Sequence, residues 1–555
     1  MPGLSGGSCD SLAAHESSPA KHSYCSLLKL RGAELTRNYD VAVFGSGFAG
    51  SLIAMIAKRQ GYSVVLLERG KHPRMTIGES STPLANLLLE ELATRYDLPA
   101  IRPLAKWGSW QRAYPHIGCG LKRGFTFYHH EAGKPVETDP DHLHQLLVAA
   151  SPHDEIGDAH WYRPDFDLFL ADQAQALGVD FIDEARTEHF CEVEDGVCFE
   201  LVSKEQTVGF QASFAIDATG PRGMLHRALQ LTEACLPGYP STEALYNHFS
   251  GVSLPNAQRG SDQEVPPYPP EQAAVHHVFD GGWVWVLRFN NGITSAGVAA
   301  TVEVGQQLRL HEGEAAWNRL LDSMPTLKEQ FATARAELPF TYMPRLSFLS
   351  SRVTGRRWAM LPSAAGFIDP LLSTGFPLTL LGVSRLAAIL GSDLAAPSFE
   401  SELQTYAIGT TEELLATSRL IAGLYANMSN FPVFKSIALL YFAAASYSET
   451  ARRLGKSHLA SSFLLHDHPE FGPLCKQLLE RAMHVAPGKE SWSLIQDVRQ
   501  AIEPIDVAGF SDSSKQGWYP VNAEDLLKSA SKVETSRGEI ESMLTACGFY
   551  RAEVG

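Results

Sequence analysis

The feature that most constrains this chain lies between residues 39 and 70. Tyr39-Asp-Val-Ala-Val-Phe44 is a short apolar run of the kind that forms a buried parallel strand. It leads directly into Gly45-Ser-Gly47-Phe48-Ala49-Gly50 and then into Ser51-Leu-Ile-Ala-Met-Ile-Ala-Lys58, which reads as a helix ended by Gly61. Ser63-Val-Val-Leu-Leu67 supplies a second strand that closes on Glu68 and Arg69. Each residue type in this order has a physical reason. Gly45 permits the tight turn, Gly47 lets backbone approach a pyrophosphate, and Gly50 lets helix and strand pack closely. The helix N-terminus offers unpaired N–H groups and the positive end of a dipole to phosphate. Glu68, 18 residues beyond Gly50, stands where an acid accepts hydrogen bonds from an adenosine ribose. Strand, GxGxxG, helix, strand and acid together predict a dinucleotide site on an α/β sheet, with Phe48, Ala49 and Arg69 as its further lining.

The fingerprint alone leaves FAD and NAD open, and two later segments favour FAD. Phe214-Ala-Ile-Asp217-Ala-Thr-Gly220 and Trp358-Ala-Met-Leu-Pro-Ser363-Ala-Ala-Gly366-Phe367-Ile-Asp369-Pro370 each read as a strand entering a small-residue turn. A single long chain that returns twice to one nucleotide site fits FAD, whereas an NAD dehydrogenase pairs one fingerprint with a separate catalytic domain. The second segment resembles the turn that group-A flavin monooxygenases wrap around the flavin.

Four further segments make the resemblance specific to flavin-dependent halogenases, relatives of those monooxygenases. Phe367-Ile-Asp-Pro370-Leu-Leu-Ser373-Thr374-Gly375 matches the family pattern FxxPxxSxG in full. Gly282-Trp283-Val-Trp285-Val-Leu287-Arg288 resembles WxWxIP, with both tryptophans on one side of a strand but Leu-Arg in place of Ile-Pro. Gly78-Glu79-Ser80-Ser81-Thr82-Pro83 stands where the family carries a GE-rich loop near the flavin, ahead of a helix over Leu84–Leu92. Gly120-Leu-Lys122-Arg-Gly124-Phe-Thr-Phe127 resembles the KxGxxF segment of halogenases that act on phenols and pyrroles.

The resemblance spans roughly residues 39 to 400 and implies a hydroxybenzoate-hydroxylase-type FAD domain of α/β class, an inserted β-rich substrate region and a helical C-terminal cap. It implies that reduced FAD and oxygen oxidise chloride or bromide to hypohalous acid, which passes to a lysine beside an electron-rich aromatic. Ser80, Asp217, Gly220, Phe367, Asp369, Pro370 and Gly375 would then contact the cofactor. Ser373, Thr374 and Gly375 would hold the halide on converging N–H donors. Trp283 and Trp285 would guard the flavin. Lys122 is the catalytic candidate, since an apolar site would lower its pKa toward a neutral, nucleophilic amine. Lys106, in Lys106-Trp-Gly108, is the competing assignment, and spacing alone does not separate the two. His160-Trp-Tyr-Arg163-Pro-Asp-Phe-Asp167 resembles the helix beside the FAD pyrophosphate, with Arg163 as its phosphate contact or as half of an ion pair.

Departures narrow the substrate and the reductant. Leu371 and Leu372 occupy the place where tryptophan halogenases carry a glutamate, which argues against free tryptophan. The segment after Asp217 lacks the DGxxSxxR pattern of hydroxylases that bind NADPH themselves, and there is no second GxGxxG. A flavin reductase partner follows, with a small aromatic substrate that is free or tethered to a carrier. An FAD monooxygenase on the same frame without halide chemistry is the alternative, with a non-catalytic flavoprotein scaffold behind it.

Composition closes off other classes. A formal charge of −16, from 46 basic and 62 acidic residues, argues against nonspecific binding to nucleic acid or anionic membrane. Eight cysteines are scattered without CxxC spacing, as expected of reduced thiols in a cytoplasmic protein. The histidines at 129/130, 142/144 and 466/468 lack further ligands at usable spacing, so no metal is expected. The most apolar later stretch, Ile437–Ala445, is too short to cross a bilayer. Residues 1–38 read as a mobile tail, 39–400 as the FAD-binding body, and 401–555 as the cap, with helices over Thr410–Met428, Pro432–Leu454, Phe471–Val485 and Ala523–Cys547. A proline-rich loop is expected over 252–272.

Overall fold

The first strand, Arg37–Phe44, ends in four fully buried residues and is clamped between parallel partners on both sides. Val41 lies opposite Val64 of one neighbour and Phe214 of the other, and Phe44 lies opposite Leu67 and Asp217. A strand covered on both faces needs apolar residues at consecutive positions, which is why the sequence shows a run here and not an alternation. In this computed structural model, residues 37–136, 141–203, 206–254, 265–486 and 488–550 are described. Arg37 and Asn38 already belong to the strand; the rest of the expected tail, and residues 255–264 of the proline-rich loop, lie outside the described residues.

The sheet around this strand runs in the order Asp180–Ile182, Val64–Leu67, Arg37–Phe44, Gln206–Asp217, Gly196–Ser203, Arg186–Val193, with Trp358–Met360 also pairing the Gln206–Asp217 strand. Its parallel half carries the nucleotide turn at the carboxyl ends of its strands, where open α/β sheets bind ligands. The helix Phe48–Arg59 is buried along ten consecutive residues, Phe48 to Ala57. It is sandwiched between that sheet and the helices Arg163–Ala176 and Gly375–Leu390. At about 1.5–3 kcal/mol for each large apolar side chain fully buried, Leu52, Ile53, Met55 and Ile56 anchor the nucleotide turn against the sheet.

A second sheet of nine strands runs Arg335–Ala336, Thr242–Ser250, Ile293–Thr301, Gly282–Arg288, Ala274–Phe279, Gly124–His129, Gln145–Ala149, Trp518–Tyr519, with Thr341–Met343 on the edge. A two-stranded ribbon, Cys119–Lys122 against Asp158–Trp161, sits between the two large sheets in the chain and pairs Lys122 directly with Asp158. The C-terminal region is largely helical. Residue 401 falls inside the helix Phe399–Tyr425, which starts well before the expected Thr410, and Trp518–Tyr519 joins the second sheet beside Gln145–Ala149. The expected helix over Ala523–Cys547 is broken into Ala523–Lys528, a short 3-10 turn and Arg537–Ala546. The last of these begins at a capping box in which Ser536 and Glu539 satisfy each other's backbone N–H groups. A helix over Lys489–Ile502 was not expected from the sequence. The stretch Leu371–Leu390 is long and apolar enough to cross a membrane by length and composition, and 78% of its apolar window is buried within the protein.

Candidate active site

The nucleotide turn is built by close backbone contact. Gly45 adopts φ +93°, and a Cβ there would stand 2.7 Å from the Ala218 carbonyl oxygen; at Gly50 it would stand 1.8 Å from the Gly45 oxygen. Gly45, Gly47, Phe48 and Ala49 line a cavity of about 520 Å³, whereas Gly50 packs behind it against Gly45. Beside Gly47 stand two guanidinium groups, those of Arg163 and Arg74. The Nε of Arg74 is buried and has no partner among the described residues, so an anion at this helix N-terminus would meet both dipole and cation. Glu68 accepts from Ser46 N at 3.1 Å, Ser46 Oγ at 3.0 Å and Gly70 N at 2.9 Å. Burial pushes its carboxyl up, but Arg74 and these donors outweigh burial and hold it below the usual carboxylate range. Arg69 lines the same end, exposed. Arg163 is not free: its Nε and Nη2 hold Asp167 at 2.8 and 2.7 Å, and its Nη1 donates to the Gly78 carbonyl at 2.8 Å. Arg163 thus forms a buried ion pair with Asp167, where the sequence offered a surface pair as the alternative, and it also lines the cavity.

Asp217 departs from its expected role. It is fully buried at the end of its strand and accepts from Thr219 N, Thr219 Oγ1 and Leu225 N at 2.6–2.8 Å, so it shapes the turn from behind. Thr219 and Gly220 are the members of that turn that line the cavity.

The opposite end of the cavity is formed by Phe367, Asp369, Pro370, Ser373, Thr374, Gly375 and the two tryptophans. The backbone here is strained: Leu372 and Ser373 have φ of +64° and +55°, a left-handed pair without glycine. That kink delivers the chain to the N-terminus of the sixteen-residue helix Gly375–Leu390, which has no side-chain cap, so its first N–H groups remain open toward the cavity. Asp369 ties this turn to three other parts of the fold. Its carboxylate accepts from Tyr425 at 2.9 Å, from Leu371 N at 3.0 Å, and from Tyr239 and Trp283 Nε1 at 3.3 Å. Burial pushes its pKa up to about 6 despite these donors. Trp283 and Trp285, with ring centroids 5.7 Å apart, both face the cavity. Arg288, where the motif has proline, instead donates to the Val252 and Ser253 carbonyls.

Lys122 stands in the wall between this cavity and another. Its side chain is wholly buried; Nζ donates to Ser80 Oγ at 2.9 Å and to the Ser81 carbonyl at 2.5 Å, and lies 3.7 Å from the Phe125 ring centroid. Ser80 lines the first cavity, whereas Phe125 and Asp158 line a second one of about 160 Å³. Burial pulls the Lys122 ammonium down, and the Asp158 carboxylate opposes it. Burial likewise pushes Asp158 up, against Lys122. Lys106 lines only the second cavity, where it reaches the Cys547 carbonyl at 3.4 Å and Glu90 at 3.9 Å. Lys122 is thus buried behind Ser80 of the first cavity, whereas Lys106 lines the second.

Three features near this wall had no clear sequence signal. Glu79 and His248 form a buried pair at 2.6 Å; burial pulls the imidazole down, but the carboxylate outweighs it and raises His248. His276 lines the first cavity, stacks 4.3 Å from Phe127, and is pushed down to about 3 by burial and by Lys122. Asn86 donates to Asp158 at 2.8 Å. Apart from Glu79, which lies in a loop, these are polar residues within strands or helices, where the tertiary partner explains them.

The comparisons agree with this geometry. A family model for tryptophan halogenases matches residues 158–426. Tetracycline 7-halogenase of Kitasatospora aureofaciens is 28% identical, covering 92% of this chain and 95% of its own. Monodechloroaminopyrrolnitrin halogenase PrnC of Pseudomonas fluorescens is 27% identical, over 85% of this chain and 82% of its own. Among solved structures, halogenase PltM in complex with phloroglucinol and FAD aligns with a TM-score of 0.76 at 25% identity, covering 86% of this chain and 99% of PltM. A flavoprotein/dehydrogenase from Cytophaga hutchinsonii shares the fold at a TM-score of 0.58. With a glycine cradle, open helix N-termini and an arginine nitrogen that is buried without a partner among the described residues and suited to a dinucleotide, the chain is an FAD-dependent enzyme, similar in sequence and structure to flavin-dependent halogenases.

Proposed function

We propose that this halogenase acts on a phenolic or similarly electron-rich aromatic ring, and that Lys122 passes the halogen from the FAD cavity to the substrate cavity. The single observation that carries this reading is the position of Lys122, bonded to Ser80 on one side and facing Phe125 and Asp158 on the other. Bound reduced FAD supplies the electrons for FADH2 + O2 + X− + H+ → FAD + HOX + H2O, and halogenation follows as ArH + HOX → ArX + H2O.

The chain's own residues bind, separate and hold. Glu68 would accept from the adenosine ribose, and Arg74 and Arg163, which stand beside Gly47, would face the pyrophosphate. Ser373, Thr374 and Gly375 present the open helix N-terminus to halide. Trp283 and Trp285 wall the flavin end, so a ring in the second cavity does not reach it. Lys122 hydrogen-bonds hypohalous acid as an ammonium, and Asp158 favours that charged form against burial. A separate flavin reductase supplies the reduced cofactor. Support for an aromatic substrate comes from the lining of the second cavity, with Phe125, Tyr441, Phe442, Phe510 and Phe549, and from phloroglucinol in the PltM structure.

The test is mass spectrometry of turnovers with FAD, a flavin reductase, NADH and bromide against phenols, indoles and pyrroles. Brominated product from the wild type and none from Lys122→Ala is the expected result. Hydroxylated product, or peroxide alone with every substrate, would overturn the halogenase mechanism in favour of a monooxygenase.

A further inference from the structure

We propose that Asp158 is the base of the substrate cavity, taking the phenolic proton of the ring as the halogen is transferred. This rests on the reading of Lys122 and the second cavity given above, and deepens it by fixing the substrate class as one that brings an O–H donor.

The second cavity is aromatic around Phe125, Tyr441 and Phe442, and two side chains in its wall carry acceptors without a donor among the described residues. Asn86 Nδ2 donates to Asp158 Oδ1, which leaves Asp158 Oδ2 and Asn86 Oδ1 buried without a hydrogen-bond partner among the described residues. Asp158 is 6% exposed and Asn86 is 4% exposed. A buried acceptor without a donor costs about 1–3 kcal/mol, so two adjacent ones are expected where a ligand supplies the donor. A phenol supplies one O–H while its ring fills the aromatic lining. The place of Asp158 beside Lys122, as its partner across the two-stranded ribbon, puts the acceptor next to the halogen carrier. The remaining charged groups on this wall are Glu449 and Arg453 from the helix Phe431–Arg453, and Glu90 and Lys106 across the cavity.

The step balances. Asp158 takes the phenolic proton, and the ring carbon bonds to the halogen of HOX as the X–O bond breaks. The released hydroxide takes a proton from the Lys122 ammonium and leaves as water. The ring C–H proton then passes to the Lys122 amine, and Asp158 returns its proton to the oxygen, which restores aromaticity and both residues. The sum is ArH + HOX → ArX + H2O.

The test compares wild type and Asp158→Asn at pH 7 on phenols of falling pKa, with FAD, reductase and bromide. Proton transfer by a placed side chain contributes about 10²–10⁴-fold. We expect a loss of about a hundredfold or more on a phenol of ordinary pKa, near 10, shrinking to within about threefold on phenols already ionised at that pH. An unchanged rate, or an equal loss on every phenol, would overturn the assignment. Should Asp158→Asn fail to bind FAD, wild type alone decides: a phenol should be turned over at least about tenfold faster than its methyl ether, and equal rates would overturn it. Wild type that brominates no substrate at all would instead sink the halogenase reading beneath it.

Discussion

Lys122 and Asp158 are paired across a ribbon that is sealed from water, and their coupling is measurable as free energy. Lys122→Met removes two hydrogen bonds, to Ser80 Oγ and the Ser81 carbonyl, worth about 1.5–3 kcal/mol each for a charged donor. It also removes a desolvated ammonium 3.7 Å from the Phe125 ring centroid, worth about 2 kcal/mol. Against this, burying the ammonium itself costs several kcal/mol, so the net loss is expected near the about 3–5 kcal/mol typical of a buried pair broken on one side. Asp158→Asn should cost less, because the ammonium keeps its bonds to Ser80 and the Ser81 carbonyl and loses only the opposing charge across the ribbon. The double variant Lys122→Met/Asp158→Asn leaves no charge stranded and should cost about 3 kcal/mol less than the sum of the singles. Urea unfolding followed by tryptophan fluorescence, compared by midpoint across the four proteins, reads this directly. The sign with pH is also fixed. In Lys122→Met the Asp158 carboxyl loses the cation that opposed burial, so its folded pKa rises further above the unfolded value. The stability it retains is full at low pH and is lost as pH rises through that folded pKa; the wild-type carboxyl, itself raised to about 7, loses stability in parallel below that pH, so the deficit against wild type must widen as pH rises above about 7. Strict additivity, or a deficit that narrows as pH rises, would refute the pairing.

Three further outcomes are expected. Lys106→Met should keep kcat within about threefold and act mainly on KM, because Lys106 touches only the second cavity; steady-state kinetics beside Lys122→Met would expose a misassigned lysine. Gly50→Ala places a carbon 1.8 Å from the Gly45 carbonyl oxygen, backbone against backbone, and should weaken FAD binding at least about a hundredfold in a fluorescence titration. In the wild type the raised His248 contributes stability that is full below its ordinary value of about 6.5 and is lost as pH rises through its folded pKa. Glu79→Gln should therefore melt lower than wild type at pH 6 and approach it as pH rises, and a melting gap constant from pH 6 to 9 would contradict the ion pair.

The parts of the site that were legible in the sequence are those where backbone geometry dictates residue type. A pyrophosphate turn needs glycine at positions 45, 47 and 50, and two consecutive parallel strands need unbroken apolar runs. The strained kink at Leu372 and Ser373 was not legible, because both residues are ordinary and only the φ values reveal it. Asp217 was misread for a related reason. An acid at the end of a strand beside a small-residue turn looks the same in sequence whether it faces the cofactor or bonds the turn from behind, and three short hydrogen bonds settle the latter. Asp158, Asn86 and His248 each sit alone in an apolar stretch, and their partners lie 72 to 169 residues away in the chain. In the same way, the break at Ser536 follows from a capping box whose sequence, Ser-x-x-Glu, was available but was overridden by the helical pattern on either side.

The two cavities draw on different lengths of chain, and this division has a chemical consequence. The first is lined from Phe44 to Thr417, the last two of its residues from the helix Phe399–Tyr425; the second combines residues 82–158 with residues 441–549, so of these two cavities the helices from Phe431 onward line the second alone. Oxidant and substrate can then be tuned independently, provided the connection between them is held still. Asp369 does this, since Tyr425, Tyr239, Trp283 and Leu371 N converge on one carboxylate and lock the helix Phe399–Tyr425 to the halide turn and the tryptophan strand. The contribution of this hub is positional: four donors on a buried acid fix these segments within hydrogen-bond tolerance, and under the proposed function Lys122 is the group through which the halves would communicate. Substitutions at Tyr441, Phe442 or Phe510 should therefore change which ring is halogenated while hypohalous acid formation continues. Loss of both together from any one of these changes would mean the wall at Lys122 does not separate them.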